Sequence, residues 1–344
     1  MGGKRNSHEK GRPSVITAVK SELPIEMEDI AQELLPLLKT VKDSWQPTDF
    51  LPDSSGGDWH DEVNRLREKA AGLSDEVLIV LVGNVVTEEA LPSYQTWLNR
   101  SKLVKDETGA SDSPWARWTR GWTAEENRHG DLLNRYLYLS GRVNMRSFET
   151  TTQHLIRNGF DPQSGNDLHQ SLVYVSFQER ATKISHSNVG KLAEKCGDPT
   201  LGKICTAIAG DEARHEEAYK RFFRKILEME PEKSVIAFAK MMKQRISMPA
   251  RLMSDGSEKD LFSQFAVVAQ RAGVYTFRDY AEVLKHLVET WGIASISGLS
   301  AEAAECQDYL CKLSDQYLAK VDRIQEALLK FSKEPFEWIF GRTA

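Results

Sequence analysis

The sequence contains few cysteines, no long apolar run and little excess of either charge. The four cysteines in 344 residues are Cys196, Cys205, Cys306 and Cys311. They are too few for a disulfide scaffold and form no Cys-x-x-Cys motif, so they are interpreted as reduced thiols without a chemical role. The strongest apolar run, residues 77–82, is far shorter than the roughly 20 residues that cross a bilayer, so no membrane insertion is expected.

The charge balance gives no reason to expect a nucleic-acid partner, because 45 basic and 50 acidic residues leave a formal net charge of -5. The first twenty residues are locally basic and contain no apolar segment typical of a secretory signal. Residues 1–26 are therefore interpreted as a flexible basic arm, and a remnant of an organellar targeting peptide is the alternative. Without a repeat or long linker, residues 27–344 are predicted to form one domain.

Apolar residues recur at helical spacing along most of the chain and predict an all-α protein. The main predicted helices cover about residues 27–45, 61–71, 74–99, 115–136, 145–157, 169–195, 198–229, 235–243, 261–272, 277–291 and 301–331. Pro92 lacks the amide that would bond the carbonyl of Glu88, so a kink is expected there. The last apolar stretch, residues 335–340, is predicted to form a strand or hairpin.

Two short motifs inside these helices place a Glu three residues before a His: Glu126 with His129, and Glu212 with His215. This spacing puts a carboxylate and an imidazole on one helix face, which is a metal-binding arrangement, although a single copy is also common on solvated helices. Here each motif follows, a few dozen residues upstream, a Glu in an apolar helix.

The two upstream residues are Glu88 and Glu179. With both motifs they make the ligand set of a ferritin-like four-helix bundle that holds two metal ions bridged by carboxylates. Additional packed helices are expected to enlarge that bundle. Two imidazoles, four carboxylates and no thiolate favour iron or manganese over zinc.

Residues beside the ligands have predicted supporting roles. Glu125 and Asp211 are placed to accept the ring N–H groups of the ligand histidines, and a surface or helix-terminal charge is the alternative for each. Thr182, one turn after Glu179, either bonds back to its own helix or donates to bound oxygen. Such a centre can activate oxygen, oxidise stored iron or generate a radical, and the chain is about twice the size that ferritin-type storage needs.

Several longer stretches, among them TEEALPSYQTWLN, WTAEENRHGDLLNRYLYLSGR, SFQERATKISH, DEARHEEAYKR and ISMPARLM, resemble the soluble acyl-[acyl-carrier-protein] desaturases of plant plastids. The similarity runs from about Trp45 to the carboxyl end. It implies a homodimeric diiron enzyme of the plastid stroma. Such an enzyme uses O2 and electrons from reduced ferredoxin to insert a cis double bond into a saturated acyl chain on acyl carrier protein.

The resemblance also implies roles for individual residues. The six ligands named above match its iron ligands, and Thr182 matches the hydroxyl near its oxygen site. Trp45, Asp211 and His129 match its route for electrons from the surface to iron, although the residues alone allow Trp45 to be only a core anchor. The basic residues proposed to meet the two acidic protein partners are Lys220, Arg221, Arg224, Lys225, Lys240, Lys243 and Arg245.

The chain departs from the common stearoyl delta-9 type at positions near the acyl channel and its entrance. Trp97 stands where Met is usual, Ser171-Leu172 where Gly-Phe is usual, and Ser263 where Asp is usual on the carrier-protein side. Ala213 replaces a usual Lys. These differences predict a variant selectivity, such as delta-4 or delta-6 oxidation of a palmitoyl chain. Delta-9 oxidation of stearoyl, and a ferritin-like ferroxidase or peroxidase, are the alternatives.

Overall fold

The computed structural model describes residues 23–104, 106–257, 260–328 and 330–344, most of which are helical. Its helices are α1 (Leu23–Leu34), α2 (Trp59–Ala70), α3 (Asp75–Glu89), α4 (Leu91–Asn99), α5 (Pro114–Ser140), α6 (Met145–Asn158), α7 (Leu168–Lys195), α8 (Pro199–Met229), α9 (Pro231–Gln244), α10 (Leu261–Arg271), α11 (Phe277–Thr290), α12 (Ala301–Leu318) and α13 (Val321–Leu328). A small antiparallel hairpin pairs β1 (Pro335–Phe336) with β2 (Arg342–Thr343). The predicted all-α class and the hairpin at the end are confirmed.

Helices α3, α5, α7 and α8 form the bundle predicted from the metal motifs, with α3 against α5 and α7, and α8 against α5 and α7. The pair α7 and α8 packs most extensively. Gly190 permits this close approach, since a Cβ added there would lie 3.0 Å from Cys205 Cβ. Asp198 starts α8 by accepting the Leu201 backbone N–H at 2.9 Å.

Two apolar clusters fill the bundle and leave a gap between them. One contains the apolar residues of α3 between Val77 and Val86. It also contains apolar side chains of α5 from Leu132 onwards, of α7 from Val189 onwards and of α8 up to Ile208. The other contains apolar side chains of the opposite half of α5, α7 and α8, including Trp118, Phe177 and Phe222. The ligand motifs on these helices lie between the two clusters in sequence, so the fold places them at mid-bundle.

The kink predicted at Pro92 is present as a full break, because Ala90 leaves the helical region with φ -81° and ψ 11° and separates α3 from α4. The Thr87 carbonyl accepts the Ala90 backbone N–H at 3.2 Å and the Tyr94 hydroxyl at 2.9 Å. The stretch Asp75–Asn99 is long and apolar enough to cross a membrane, but 72% of its most apolar window is buried in the fold. It is therefore a core element of the bundle.

Three predicted boundaries were wrong. Helix α1 ends at Leu34, well before Trp45, because Pro36 interrupts it and a 3-10 turn, Leu35–Leu37, follows. The predicted helix over residues 301–331 divides after Leu318, where a turn separates α12 from α13. Residues 23–26 of the predicted arm belong to α1, and residues 1–22 lie outside the described part of the chain.

Candidate metal centre

The six predicted ligands meet at one buried site. Two groups of side chains each offer ligand atoms that all lie within 4.8 Å of one another. The first group is Glu88, Glu126, His129 and Glu212, and the second is Glu126, Glu179, Glu212 and His215. Each helix of the bundle thus contributes what the spacing predicted.

Glu126 and Glu212 belong to both groups, so they are placed to bridge two metal positions. Glu126 directs Oε2 towards His129 Nδ1 at 3.2 Å and Oε1 towards His215 Nδ1 at 2.7 Å. Glu88 and Glu179 belong to one group each and are the outer carboxylates. The geometry is that of two adjacent positions, each with one imidazole, one outer carboxylate and two shared carboxylates.

The electrostatics of this site call for cations. Burial and the neighbouring Glu126 and Glu179 raise the pKa of Glu212 well above its usual value. Burial would lower the pKa of His129, but Glu126, Asp211 and Glu88 raise it well above the ordinary range. Four carboxylates enclosed in one buried space repel one another, and two divalent ions would offset their charge.

Unpaired buried atoms support the same fit. The Nδ1 atoms of His129 and His215 and the Oε1 atom of Glu126 are buried and make no hydrogen bond, although Glu126 Oε1 and His215 Nδ1 lie only 2.7 Å apart. Buried polar atoms nearly always have a partner, so these three atoms fit metal-ligand positions. Carboxylate oxygens with two imidazoles are a donor set that iron accepts.

The outer nitrogens of the two histidines face carboxylates across the bundle, and only that of His215 makes a hydrogen bond. His215 Nε2, on α8, lies 3.0 Å from Glu125 Oε2 on α5, whereas His129 Nε2, on α5, lies 3.5 Å from Asp211 Oδ2 on α8. Each carboxylate therefore supports the histidine of the opposite motif. These contacts agree with the predicted supporting roles of Glu125 and Asp211, and they orient Nδ1 of each ring towards the site.

Two arginines that sequence reasoning missed tie this layer together. Arg214 donates to both Glu125 and Asp211, and Arg128 donates to Asp211 at 3.2 Å. Both lie within the ligand motifs, directly before His215 and His129. That position was the available signal, since an arginine beside a buried ligand needs an acceptor nearby.

The same residues hold the irregular segment of residues 37–45, here called the covering segment. Arg214 donates to the Leu37 carbonyl, and Glu125 accepts the Lys39 backbone N–H at 2.6 Å. Arg128 donates to the Trp45 carbonyl at 2.6 Å, and its guanidinium lies 4.5 Å from the Trp45 ring centre. The covering segment thus lies against the outer side of the site.

The outer carboxylates have partners that the sequence analysis also missed. His186 Nε2 lies 2.8 Å from Glu88 Oε1, and Trp122 Nε1 donates to Glu179 Oε1 at 3.0 Å. His186 follows Glu179 by seven residues, which places it on the same face of α7. That spacing was a usable signal.

Thr182 donates to the carbonyls of Gln178 and Glu179 at 3.1 Å each, so its hydroxyl bonds back to its own helix. The side chain also lines an inner cavity, which Glu88, Glu126, Glu179 and Glu212 border. Both predicted readings of Thr182 therefore remain compatible with its position.

Two further cavities flank the inner cavity. The far cavity is lined by the predicted channel residues Trp97, Ser171 and Leu172. Trp97 also lines the inner cavity, so its side chain lies between the two. The outer cavity shares Thr87 with the inner cavity and includes Arg245 in its wall.

The predicted partner residues divide into two sets. Several basic residues of α8 have partners within the chain: Lys220 contacts Glu216, Arg221 contacts Glu217, Arg224 donates to the Thr290 carbonyl and Lys225 contacts Glu26. Arg245 differs because it lies in the wall of the outer cavity. Ser263 lies in the first turn of α10, where its hydroxyl donates to Asp260 at 2.7 Å.

The fold and the site define a helical-bundle protein with a buried, carboxylate-bridged centre for two metal ions. Among solved structures, the chain is similar in fold to DesA2 of Mycobacterium tuberculosis, described as a candidate acyl-ACP desaturase. The TM-score is 0.53 at 17% identity, over 83% of this chain and 99% of that one.

Sequence comparison is more specific. The chain matches the fatty acid desaturase family over residues 20–340. It is 55% identical to stearoyl-[acyl-carrier-protein] 9-desaturase 1 of Arabidopsis thaliana, a chloroplastic protein, over 90% of this chain and 79% of the relative. It is 50% identical to an acyl-[acyl-carrier-protein] 6-desaturase of Thunbergia alata, over 91% of this chain and 81% of that relative. The chain belongs to the fatty acid desaturase family, and the predicted resemblance to plant acyl-[acyl-carrier-protein] desaturases is confirmed.

Proposed function

We propose that this chain is a plastid acyl-[acyl-carrier-protein] desaturase that inserts a cis double bond into a saturated acyl chain. The observation that carries the proposal is the row of three cavities, in which apolar walls lead past the four ligand carboxylates. An apolar chain can lie along this row with one methylene group beside the metal site. A site built only for iron storage has no need of such a row.

The chain's own residues bind and orient the reactants. Glu88, Glu126, His129, Glu179, Glu212 and His215 would hold two iron ions. When bound, the iron pair supplies the oxidising chemistry that uses O2 to remove hydrogen from the acyl chain. Apolar walls such as Leu91 and Val175 exclude water and hold the chain close to the site.

Thr182 is proposed to assist at the oxygen site. Its hydroxyl is bonded to backbone carbonyls in the structure, and a rotation about χ1 would direct it elsewhere. Its position in the wall of the inner cavity supports this role.

Electrons are proposed to come from reduced ferredoxin and to enter through Trp45. The Trp45 ring stacks on His129, with ring centres 6.0 Å apart and planes 15° apart, and Asp211 Oδ2 lies 3.5 Å from His129 Nε2. Replacing Trp45 with leucine should slow ferredoxin-driven reduction of the iron while leaving reduction by a small diffusible reductant unchanged. The route would be contradicted if ferredoxin reduced the iron in W45L as fast as in the parent chain.

The carrier protein is proposed to dock at the mouth of the outer cavity. Arg245 offers a cation there for an acidic partner, and Ser263 and Asp260 lie at the start of α10, whose Phe262 and Phe265 line the same cavity. Lys220, Arg221 and Arg224 are weaker contacts for that partner because their charges are already engaged. A homodimer in the plastid stroma completes the proposal, and light scattering of the purified protein tests the dimer.

The proposed selectivity is for a palmitoyl chain, with the double bond nearer the carboxyl end than delta-9. Moving the bond in that direction lengthens the part of the chain that must fit beyond the metal site. The far cavity, with Ser171 and Leu172 in its wall, offers space for that part. The two relatives described above, a 9-desaturase and a 6-desaturase, are similarly identical to this chain, so identity alone does not decide the position.

The experiment is product analysis with iron-loaded protein, reduced ferredoxin, O2 and either palmitoyl or stearoyl carrier protein. Formation of an alkene supports the desaturase, and a double bond nearer the carboxyl end of palmitate supports the selectivity. Dominant delta-9 oxidation of stearate would overturn the selectivity alone. Iron and oxygen turnover without any alkene would instead favour a ferroxidase or peroxidase.

A further inference from the structure

The two outer carboxylates of the site are held by unlike partners. Glu88 is held by the imidazole of His186 at 2.8 Å, and Glu179 by the indole of Trp122 at 3.0 Å. Each outer carboxylate belongs to only one metal position. A difference between their partners is therefore a difference between the two positions.

The backbone around the two carboxylates is also unlike. Glu179 lies in the interior of the 28-residue helix α7, where continuous helical hydrogen bonds fix it. Glu88 is the penultimate residue of α3, immediately before the break at Ala90. Its carbonyl lacks the usual amide partner because Pro92 has no N–H. Glu88 therefore has less support from its own helix than Glu179 has.

We propose that His186 is the positioning residue of Glu88, that it replaces the support lost at the helix break, and that it makes the two metal positions unequal. This inference rests on the proposed iron centre. His186 acts through Glu88: its Nε2 donates to the carboxylate oxygen and fixes the side chain in the orientation that meets the first metal position. Trp122 gives Glu179 a similar donor, but α7 already fixes that residue.

The surroundings of His186 favour this role over simple core filling. The residue is 1% exposed, and its Nδ1 has no hydrogen-bond partner. The Nε2–H tautomer therefore leaves no ring donor unsatisfied, and its single N–H points at Glu88. A residue that only filled space at this point would be replaced by an apolar side chain without loss of metal.

The test is anaerobic ferrous iron titration of the metal-free full chain, with iron per chain and each dissociation constant as readouts. H186L and H186M remove the donor in two different shapes, and H186Q keeps an N–H donor. W122F removes the donor of the other carboxylate. The matched control is H169L, because His169 is a buried histidine of the same helix whose Nε2 contacts Glu230, away from the site.

We expect two bound irons in the parent chain and in H169L. H186L and H186M should weaken one of the two positions by about 10–100-fold, as loss of a residue that orients a metal ligand usually does. H186Q should recover most of that affinity, and W122F should weaken its own position less than H186L weakens the position of Glu88, because α7 already fixes Glu179. As iron is withdrawn from loaded H186L and H186M, one of the two Mössbauer iron signals should disappear before the other.

Parent-like binding of both irons by H186L and H186M would overturn the inference, as would an equal or larger loss in W122F. Absence of iron binding in the parent chain would instead refute the iron centre itself. Circular dichroism of each metal-free variant identifies any that fail to fold, and the variants that fold decide the outcome. Failure of H186Q to recover affinity when H186M folds would also count against the proposal.

Discussion

Glu125 on α5 holds His215 on α8 across the bundle, with 3.0 Å between Oε2 and Nε2. Replacing Glu125 with leucine should weaken iron binding about 10–100-fold, because the imidazole loses the acceptor that fixes its orientation and tautomer. Iron content after dialysis against a weak chelator measures the effect. Glu125→Gln keeps an acceptor oxygen and should lose much less, so an equal loss in both variants would contradict the orienting role.

Trp97 lines both the inner and the far cavity and lies between them. Trp97→Met should enlarge the space between the two cavities and change the ratio of double-bond positions or chain lengths among the products by about fivefold or more, since one pocket contact is usually worth about 1–3 kcal/mol in discrimination. Gas chromatography with mass spectrometry of the products measures the ratio. The control is Trp59→Met, because Trp59 lines neither cavity. An unchanged product profile in W97M would remove Trp97 from the selectivity.

Thr182→Val keeps the shape of the side chain but removes its hydroxyl from the wall of the inner cavity. If that hydroxyl assists at the oxygen site, the variant should form less alkene per O2 consumed, with a loss of roughly tenfold or more. Iron content and the melting temperature should not change. Thr206→Val is the matched control, because Thr206 bonds back to the Gly202 carbonyl at 2.9 Å in the same manner on α8. If T182V and T206V form the same amount of alkene per O2 consumed, the Thr182 hydroxyl has no role beyond its hydrogen bonds to its own helix.

Gly83 permits the contact between α3 and α10. A Cβ added there would lie 2.1 Å from the Phe265 ring, so Gly83→Ala should lower the free energy of unfolding by about 1–3 kcal/mol through overpacking. Denaturant unfolding measures this loss. Gly57→Ala meets nothing within 4 Å and serves as the control. The double variant G83A/F265L should recover part of the loss, and full stability of G83A alone would show that α10 shifts freely.

The ligand set was predictable from sequence because each ligand depends on a local rule. A Glu three residues before a His shares a helix face with it whatever the tertiary structure, and Glu88 stood out as a charge after an apolar run. Pro92 likewise predicted the break by a local clash and a missing N–H.

The rest depends on contacts between helices that are far apart in sequence. The pairing of Glu125 with His215 and of Asp211 with His129 requires the relative rotation of α5 and α8, which no spacing within one motif supplies. The end of α1 was misjudged because apolar residues continue past Pro36. Leu37 and Leu38 pack against the core without belonging to an α-helix, and Val41 is exposed. The roles of Arg128 and Arg214 could be recognised only in the folded structure, where the two motifs face each other.

The covering segment and the metal site depend on the same side chains. Its hydrogen bonds to Arg214, Glu125 and Arg128 involve the same side chains that help to orient the two ligand imidazoles. The same contacts therefore fix the covering segment and orient the ligand histidines. Loss of Arg214 or Glu125 would therefore disturb the covering segment and the orientation of the ligand histidines together.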